Sequence, residues 1–268
     1  MFYTSGGTKL FAETMGEGQE IILFHPTPVH HAFWFPVAEM LAQRYRVIMP
    51  DLRGHGQSEA GEGVITVEIL GKDAERLMNE LDIGKALFAG CSLGGYTLYE
   101  VWRRMPERVT ALAFCCCRPQ ADAETNRAKR QEWIDGIRRR GTGDFFELML
   151  NSLIGATTRR RLPQKIGEAR EMMQAAKADA VIAVQQGLAA RPDSVATAKT
   201  IRVPACVIAG AEDGSSTVED MKLLAEAIRN GGYGAEFYVL HDAGHYAPWE
   251  QPETVGPILR RFFDSVVG

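Results

Sequence analysis

Ser92, Asp213 and His245 are the residues of this chain best placed to do chemistry together. Ser92 lies in "FAGCSLGGYTLYE" (88–100), after an apolar run that ends at Gly90 and directly before a helical pattern. Gly90, Gly94 and Gly95 surround it, and without a Cβ they let the chain turn sharply where side chains would strike neighbouring backbone. A strand-to-helix turn of this G-x-S-x-G kind presents the serine hydroxyl at the carboxyl end of a strand, with the Leu93 N–H directed at the reacting oxygen. A serine hydroxyl is a poor nucleophile unless a base takes its proton, and the base needs an acid to orient it. His245 in "LHDAGHYAPWEQPE" (240–253) and Asp213 in "IAGAEDGSST" (208–217) each follow an apolar run and fit those roles. The chemistry is nucleophilic acyl transfer. Glu212 is the alternative acid, although its side chain should leave the turn on the other side, and Asp242 is too near His245 in sequence. Cys91 is not at the apex of the turn, so Ser92 is the expected nucleophile. A dinucleotide-binding reading fails, because the glycine order is wrong and the motif comes late in the chain.

Three of the six histidines, His25, His30 and His31, crowd into "FHPTPVHHAFW" (24–34). A metal site would need ligands that converge, with carboxylate or cysteine help. Adjacent His30 and His31 in an extended stretch point apart, and the proline after His25 holds that residue extended. No metal or cofactor is therefore expected. The five cysteines, Cys91, Cys115, Cys116, Cys117 and Cys206, are odd in number and match no zinc spacing. They read as small buried hydrophobes in a reducing compartment.

The elements that must position these residues follow an alternating rhythm. Continuous apolar runs at 20–26, 46–51, 86–90, 109–117, 205–210 and 235–240 suit strands buried on both faces of a parallel sheet. Helical patterns lie between them. The one at 66–81 puts Ile69, Leu70, Leu77, Met78 and Leu81 near one face, and others occupy 93–107 and 252–267. "KLFAETMGEGQE" reads as an antiparallel strand and turn leading into the sheet. This is an α/β pattern with right-handed crossovers. About 80 residues between the strands ending near Cys117 and opening at Ala205 carry no strand signal; helices are expected at roughly 122–140, 143–154, 158–176 and 179–190. The expected division is a core of residues 1–117 and 200–268 with a helical cap, 118–199. From Arg118 to Lys199 there are fifteen bases and ten acids, against a formal −4 for the whole chain. That surplus reads either as solvated helix faces or as a cap that favours anionic substrates.

The remaining bulk properties narrow the class. With 268 residues, 46% hydrophobic and 24% charged, the chain supports a sizeable core. The mild acidity argues against a nucleic-acid binder. No apolar run approaches the roughly 20 residues of a membrane helix. The opening "MFYTSGGTKL" lacks the charge and apolar core of a secretory leader, so a cytoplasmic location is expected.

Four motifs in order make the chain resemble the α/β-hydrolase fold superfamily across nearly its whole length: "PDLRGHGQS" (50–58), "GCSLGG", "GAEDG" and "AGHYAPWEQPE". The serine–acid–histidine order is that of these enzymes. The chain is similar in particular to small bacterial esterases, 3-oxoadipate enol-lactonases and cofactor-free haloperoxidases. The resemblance implies a mostly parallel central sheet with helices on both faces and an inserted helical cap. It makes Asp51, Arg53 and His55 structural and His241 a surface residue. It also places an oxyanion loop, usually H-G-x-P, at "HPTPVHH". Pro26 stands where that loop usually has glycine, and proline has no N–H to donate. The oxyanion hole is then expected from the Thr27 and Leu93 N–H groups. His30, His31 and Trp34 beyond the loop, and Trp133 and Met149 in the cap, are substrate-pocket candidates; Phe33, Phe145, Phe146, Met172 and Met173 either line the pocket or pack beneath the cap.

The expected function is hydrolysis of a small-molecule carboxylic ester or lactone through an acyl-enzyme, by a monomer or homodimer, without nucleic-acid or membrane partners. Carbon–carbon bond hydrolysis, thioester hydrolysis and perhydrolase or haloperoxidase activity reuse the same triad and stay open, as does a ligand receptor on a hydrolase scaffold. Dehalogenase and epoxide hydrolase activities are disfavoured, since those relatives carry a carboxylate where this chain has Ser92.

Overall fold

Every apolar run singled out above becomes a strand in the computed structural model, which describes residues 1–268. The strands are β1 (Phe2–Ser5), β2 (Thr8–Met15), β3 (Gln19–Phe24), β4 (Tyr45–Pro50), β5 (Ala86–Cys91), β6 (Val109–Cys115), β7 (Ala205–Gly210) and β8 (Ala235–Leu240). They form one sheet in the order β1-β2-β4-β3-β5-β6-β7-β8. β1 and β2 run antiparallel to their neighbours, and β3 to β8 pair in parallel.

Burial explains why the parallel strands read as unbroken apolar runs. Side chains alternate between faces with period two: Ile22 and Phe24 join an apolar cluster of 41 residues, while Ile21 and Leu23 join another of 40. Two clusters of nearly equal size mean that both faces are covered. The helices Val67–Glu80, Leu93–Arg104 and Val218–Asn230 cover one face, and Phe35–Leu41 and Pro252–Val267 the other. On the helix 67–80 the buried apolar stripe is Val67, Leu70, Ala74, Leu77 and Met78, so Ile69 and Leu81 flank the stripe rather than belong to it.

Three departures from expectation have local causes. The strand expected to continue to Cys117 stops at Cys115, because Cys116 takes φ +49° and turns the chain out of the sheet. The four-residue edge strand β1 carries no apolar run, and half of its residues are exposed. The single helix expected at 158–176 is two, Ala156–Arg161 and Gln164–Gln174. Leu162, with φ −131° and ψ 60°, separates them, as the residue before Pro163 is steered out of helical conformation. These two, with Glu124–Arg140, Gly143–Leu153, Ala178–Ala190 and the short turn Val195–Ala198, make up the helical excursion between β6 and β7. No helix is long and apolar enough to cross a membrane.

Candidate active site

Ser92 is wedged between β5 and the helix that starts at Leu93, with φ +50° and ψ −112°. A non-glycine residue in that region costs on the order of 1–3 kcal/mol and persists only where the surroundings enforce it. Here the Ser92 N–H donates to the Cys115 carbonyl (3.1 Å), and its own carbonyl accepts from the Tyr96 N–H (2.9 Å). The flanking glycines are required by space rather than by φ. A Cβ on Gly90 would lie 2.4 Å from the Gly94 backbone, and one on Gly94 would lie 2.0 Å from the Phe24 carbonyl oxygen. Cys91 points away from the turn apex, fully buried, with its thiol donating to the His245 carbonyl (3.4 Å); burial pushes that thiol well up, which disfavours the thiolate.

The loops after β7 and β8 bring Asp213 and His245 together. Asp213 Oδ2 accepts from His245 Nδ1–H at 2.7 Å. Its other oxygen accepts the Ser215 (2.7 Å) and Ser216 (3.1 Å) N–H groups, so the carboxylate is oriented from both sides. With Nδ1 protonated toward Asp213, His245 Nε2 carries the lone pair, which is the tautomer a general base needs. Ser92, His245 and Thr27 all line one cavity of about 530 Å³, together with Tyr96, Trp133, Met149 and the basic residues Arg118, Lys129 and Arg130.

Thr27 is held by two groups. The Tyr246 hydroxyl donates to its carbonyl (3.0 Å), and its own hydroxyl donates to His55 Nε2 (2.9 Å), while His55 Nδ1–H donates to the Arg53 carbonyl (3.1 Å). Burial lowers the His55 pKa, which keeps the ring neutral for this pattern. The N–H groups of Thr27 and Leu93 are engaged by no other group of the protein. The Thr27–Pro28 peptide is cis. His25, fully buried and pushed well down in pKa by that burial, donates from Nδ1 to the Pro26 carbonyl (2.8 Å) and accepts the Leu52 N–H at Nε2 (2.9 Å). It ties the Thr27 loop to the loop after β4. Arg53 forms a buried two-point pair with Asp73 at 2.8 and 2.7 Å.

His30, His31 and Trp34 do not line the cavity. The chain stays extended at His30 but then enters a 3-10 turn, His31–Trp34, which His30 caps through Nδ1 accepting the Ala32 N–H (3.3 Å). Trp34 is thereby fully buried in the core, and His30 faces a separate depression beside Phe35, Glu168, Met172 and Trp249. Nor do the adjacent imidazoles point apart. Their ring centroids are 5.0 Å apart, and ligand atoms of His30, His31 and Asp51 lie within 4.8 Å of one another. Asp51 is already committed, however. Its Oδ1 accepts His31 N–H (2.8 Å) and Nδ1–H (2.7 Å), and its Oδ2 accepts the Gln57 N–H (2.8 Å). Phe33, Phe145, Phe146 and Met173 are buried in apolar packing.

Two acids serve the helical excursion. Glu212 accepts the N–H and hydroxyl of Thr157, at 2.8 and 2.5 Å, so it faces away from His245. Glu250, which no spacing or motif singles out beyond its place in "HYAPWE", accepts the N–H groups of Gly155 (2.9 Å), Gly244 (3.0 Å) and Tyr246 (3.1 Å). The His245 N–H also donates to the Leu153 carbonyl (2.8 Å). The histidine loop is thus stitched to the segment 153–157.

The family model for the alpha/beta hydrolase fold matches residues 20–252, and the chain belongs to that family. A thermophilic esterase from Thermogutta terrifontis, solved with malate bound, is 32% identical, superposes with a TM-score of 0.93, and shares 99% of this chain and 98% of its own. The enol-lactonase from Burkholderia xenovorans LB400 is 26% identical, with a TM-score of 0.91 over 98% of this chain and all of its own. 3-Oxoadipate enol-lactonase 1 of Acinetobacter baylyi is 27% identical over 256 residues, 92% of this chain and 89% of that protein.

Proposed function

We propose that this protein is a serine hydrolase that cleaves a small carboxylic ester or lactone. The observation that carries the reading is the 2.7 Å Asp213–His245 bond beside a cavity that Ser92 and His245 share. His245 Nε2 takes the Ser92 proton as Oγ attacks the substrate carbonyl, and Asp213 stabilises the imidazolium that forms. The Thr27 and Leu93 N–H groups hold the oxyanion. Collapse of the tetrahedral intermediate expels the alcohol, or opens the lactone, with the proton returned by His245. Water, deprotonated by the same histidine, then releases the acid and restores Ser92.

Residues 118–199 act as the cap that closes the cavity, since Trp133, Met149, Leu153 and Leu188 supply its apolar wall. The esterase and lactonase names of the relatives favour carboxylic ester chemistry. All five cysteines are unpaired and buried, which favours a reducing, cytoplasmic setting. Turnover of short p-nitrophenyl esters and of simple lactones by wild type and by Ser92→Ala tests the proposal. Activity that disappears in the variant supports it, and full turnover in Ser92→Ala overturns it.

A further inference from the structure

Three bases, Arg118, Lys129 and Arg130, line the Ser92 cavity against one acid, Glu132. Behind this wall lies Asp122, fully buried, whose carboxylate accepts from Arg118 Nη2 (2.9 Å), Arg191 Nη2 (2.8 Å) and Arg130 Nε (2.5 Å). Burial alone would raise its pKa, but the guanidiniums around it, Arg130 foremost, outweigh burial and lower it. One carboxylate among three guanidiniums leaves the cluster cationic. The nearby Asp220 is spent on the cap of the helix Val218–Asn230 and on Gln120.

Several donors are left over, and the arginines that carry them are held in place. Arg118 gives Nη1 to the Ser215 carbonyl and Nη2 to Asp122, while its buried Nε has no partner. Arg130 gives Nε to Asp122 and one Nη1 N–H to Gln185, at 2.6 Å, which leaves Nη2 and the second N–H of Nη1. Lys129, exposed beside them, has no hydrogen bond or ion pair to the protein. Partly buried guanidiniums held in fixed orientation by Asp122, Ser215 and Gln185 are suited to a carboxylate.

We propose that the cavity selects an ester or lactone whose chain carries a free carboxylate, which Arg118 and Arg130 bind while Lys129 draws it to the mouth. This rests on Ser92 being the nucleophile. The test compares kcat/KM for mono-p-nitrophenyl adipate and for p-nitrophenyl hexanoate, two esters of equal acyl length that differ in the terminal carboxylate. The ratio of the two values is the readout, so any misfolded fraction of a variant cancels. A charge-assisted hydrogen bond favours the anionic ester by about ten- to a hundredfold in wild type at low salt. The ratio should approach one in Arg130→Gln and in Arg118→Gln. It should drop several-fold in Lys129→Glu, at an exposed position where folding is not at stake, and shrink in wild type as salt is raised. Equal or better turnover of hexanoate by wild type, or a ratio unmoved by all three substitutions, overturns the carboxylate proposal alone. Failure of wild type to turn over either ester, or full turnover in Ser92→Ala, overturns the hydrolase reading beneath it.

Discussion

Asp51→Asn separates the charge of one buried carboxylate from its shape. Asp51 is fully buried. Burial by itself would raise its pKa, but the His31 hydrogen bond, the nearby imidazoles and the Gln57 N–H hold it down at about 2, from an ordinary 3.8. A carboxylate whose folded pKa is depressed contributes stability above its unfolded pKa and loses it as pH falls through the folded one. At 1.36 kcal/mol per pKa unit, the ionised group stabilises the fold by about 2 kcal/mol at neutral pH, and this disappears between about pH 5 and 2. Asparagine keeps one acceptor for His31 and turns an NH₂ toward the Gln57 N–H, leaving a buried donor unpaired at a further cost of about 1–3 kcal/mol. Urea titrations should therefore find Asp51→Asn about 3–5 kcal/mol less stable than wild type at pH 7. Thermal unfolding should shift down by about 6–20 °C on the usual scaling for chains of this size. Between about pH 5 and 2 the gap should narrow, because a protonated Asp51 loses the same stabilisation and also presents a donor to Gln57. A gap that stays constant from pH 7 to pH 3, or a variant as stable as wild type at pH 7, would refute the reasoning.

Asp213→Asn should lower kcat by up to about 10⁴-fold with little change in folding, since it favours the wrong histidine tautomer. Glu212→Gln should instead act on stability, by about 1–2 kcal/mol, because its partner is Thr157; steady-state kinetics and urea unfolding on both variants distinguish the two acids. Tyr246→Phe frees the Thr27 carbonyl and should reduce kcat about two- to tenfold with KM less affected, the split expected of a positioning residue. Gly94→Ala should unfold the elbow, as its Cβ would sit 2.0 Å from the Phe24 carbonyl oxygen; a soluble, active Gly94→Ala protein would contradict this.

The sheet was legible because β5 and β7 are buried throughout, and β3, β4 and β6 over most of their length, so their residues are mostly apolar. Its edge was not: β1 is four residues with half of them exposed, a pattern shared with any loop. Ser92, Asp213 and His245 stand out because each follows a strand end at a turn rich in glycine. The region after Pro28 misled for a physical reason. Local preference for extended backbone near proline ends within three residues, and the 3-10 turn at His31 then sends Trp34 into the core and His30 toward another depression. The cationic wall and the Glu250 stitch depend on pairs such as Arg191–Asp122 and Gly155–Glu250, 69 and 95 residues apart. Single-sequence periodicity holds no record of contacts at that range. The charge surplus of residues 118–199 was visible in the sequence, but not that Arg118 and Arg130 turn part of it toward Ser92's cavity.

The nucleophile is tested most directly by trapping it. Wild-type protein treated with a fluorophosphonate and analysed by intact and peptide mass spectrometry should gain a single phosphonyl group on Ser92, losing ester turnover in proportion. Ser92→Ala should gain none. Stoichiometric labelling at Cys91 or at another serine, or inhibition that persists unchanged in Ser92→Ala, would contradict the assignment of Ser92 as nucleophile.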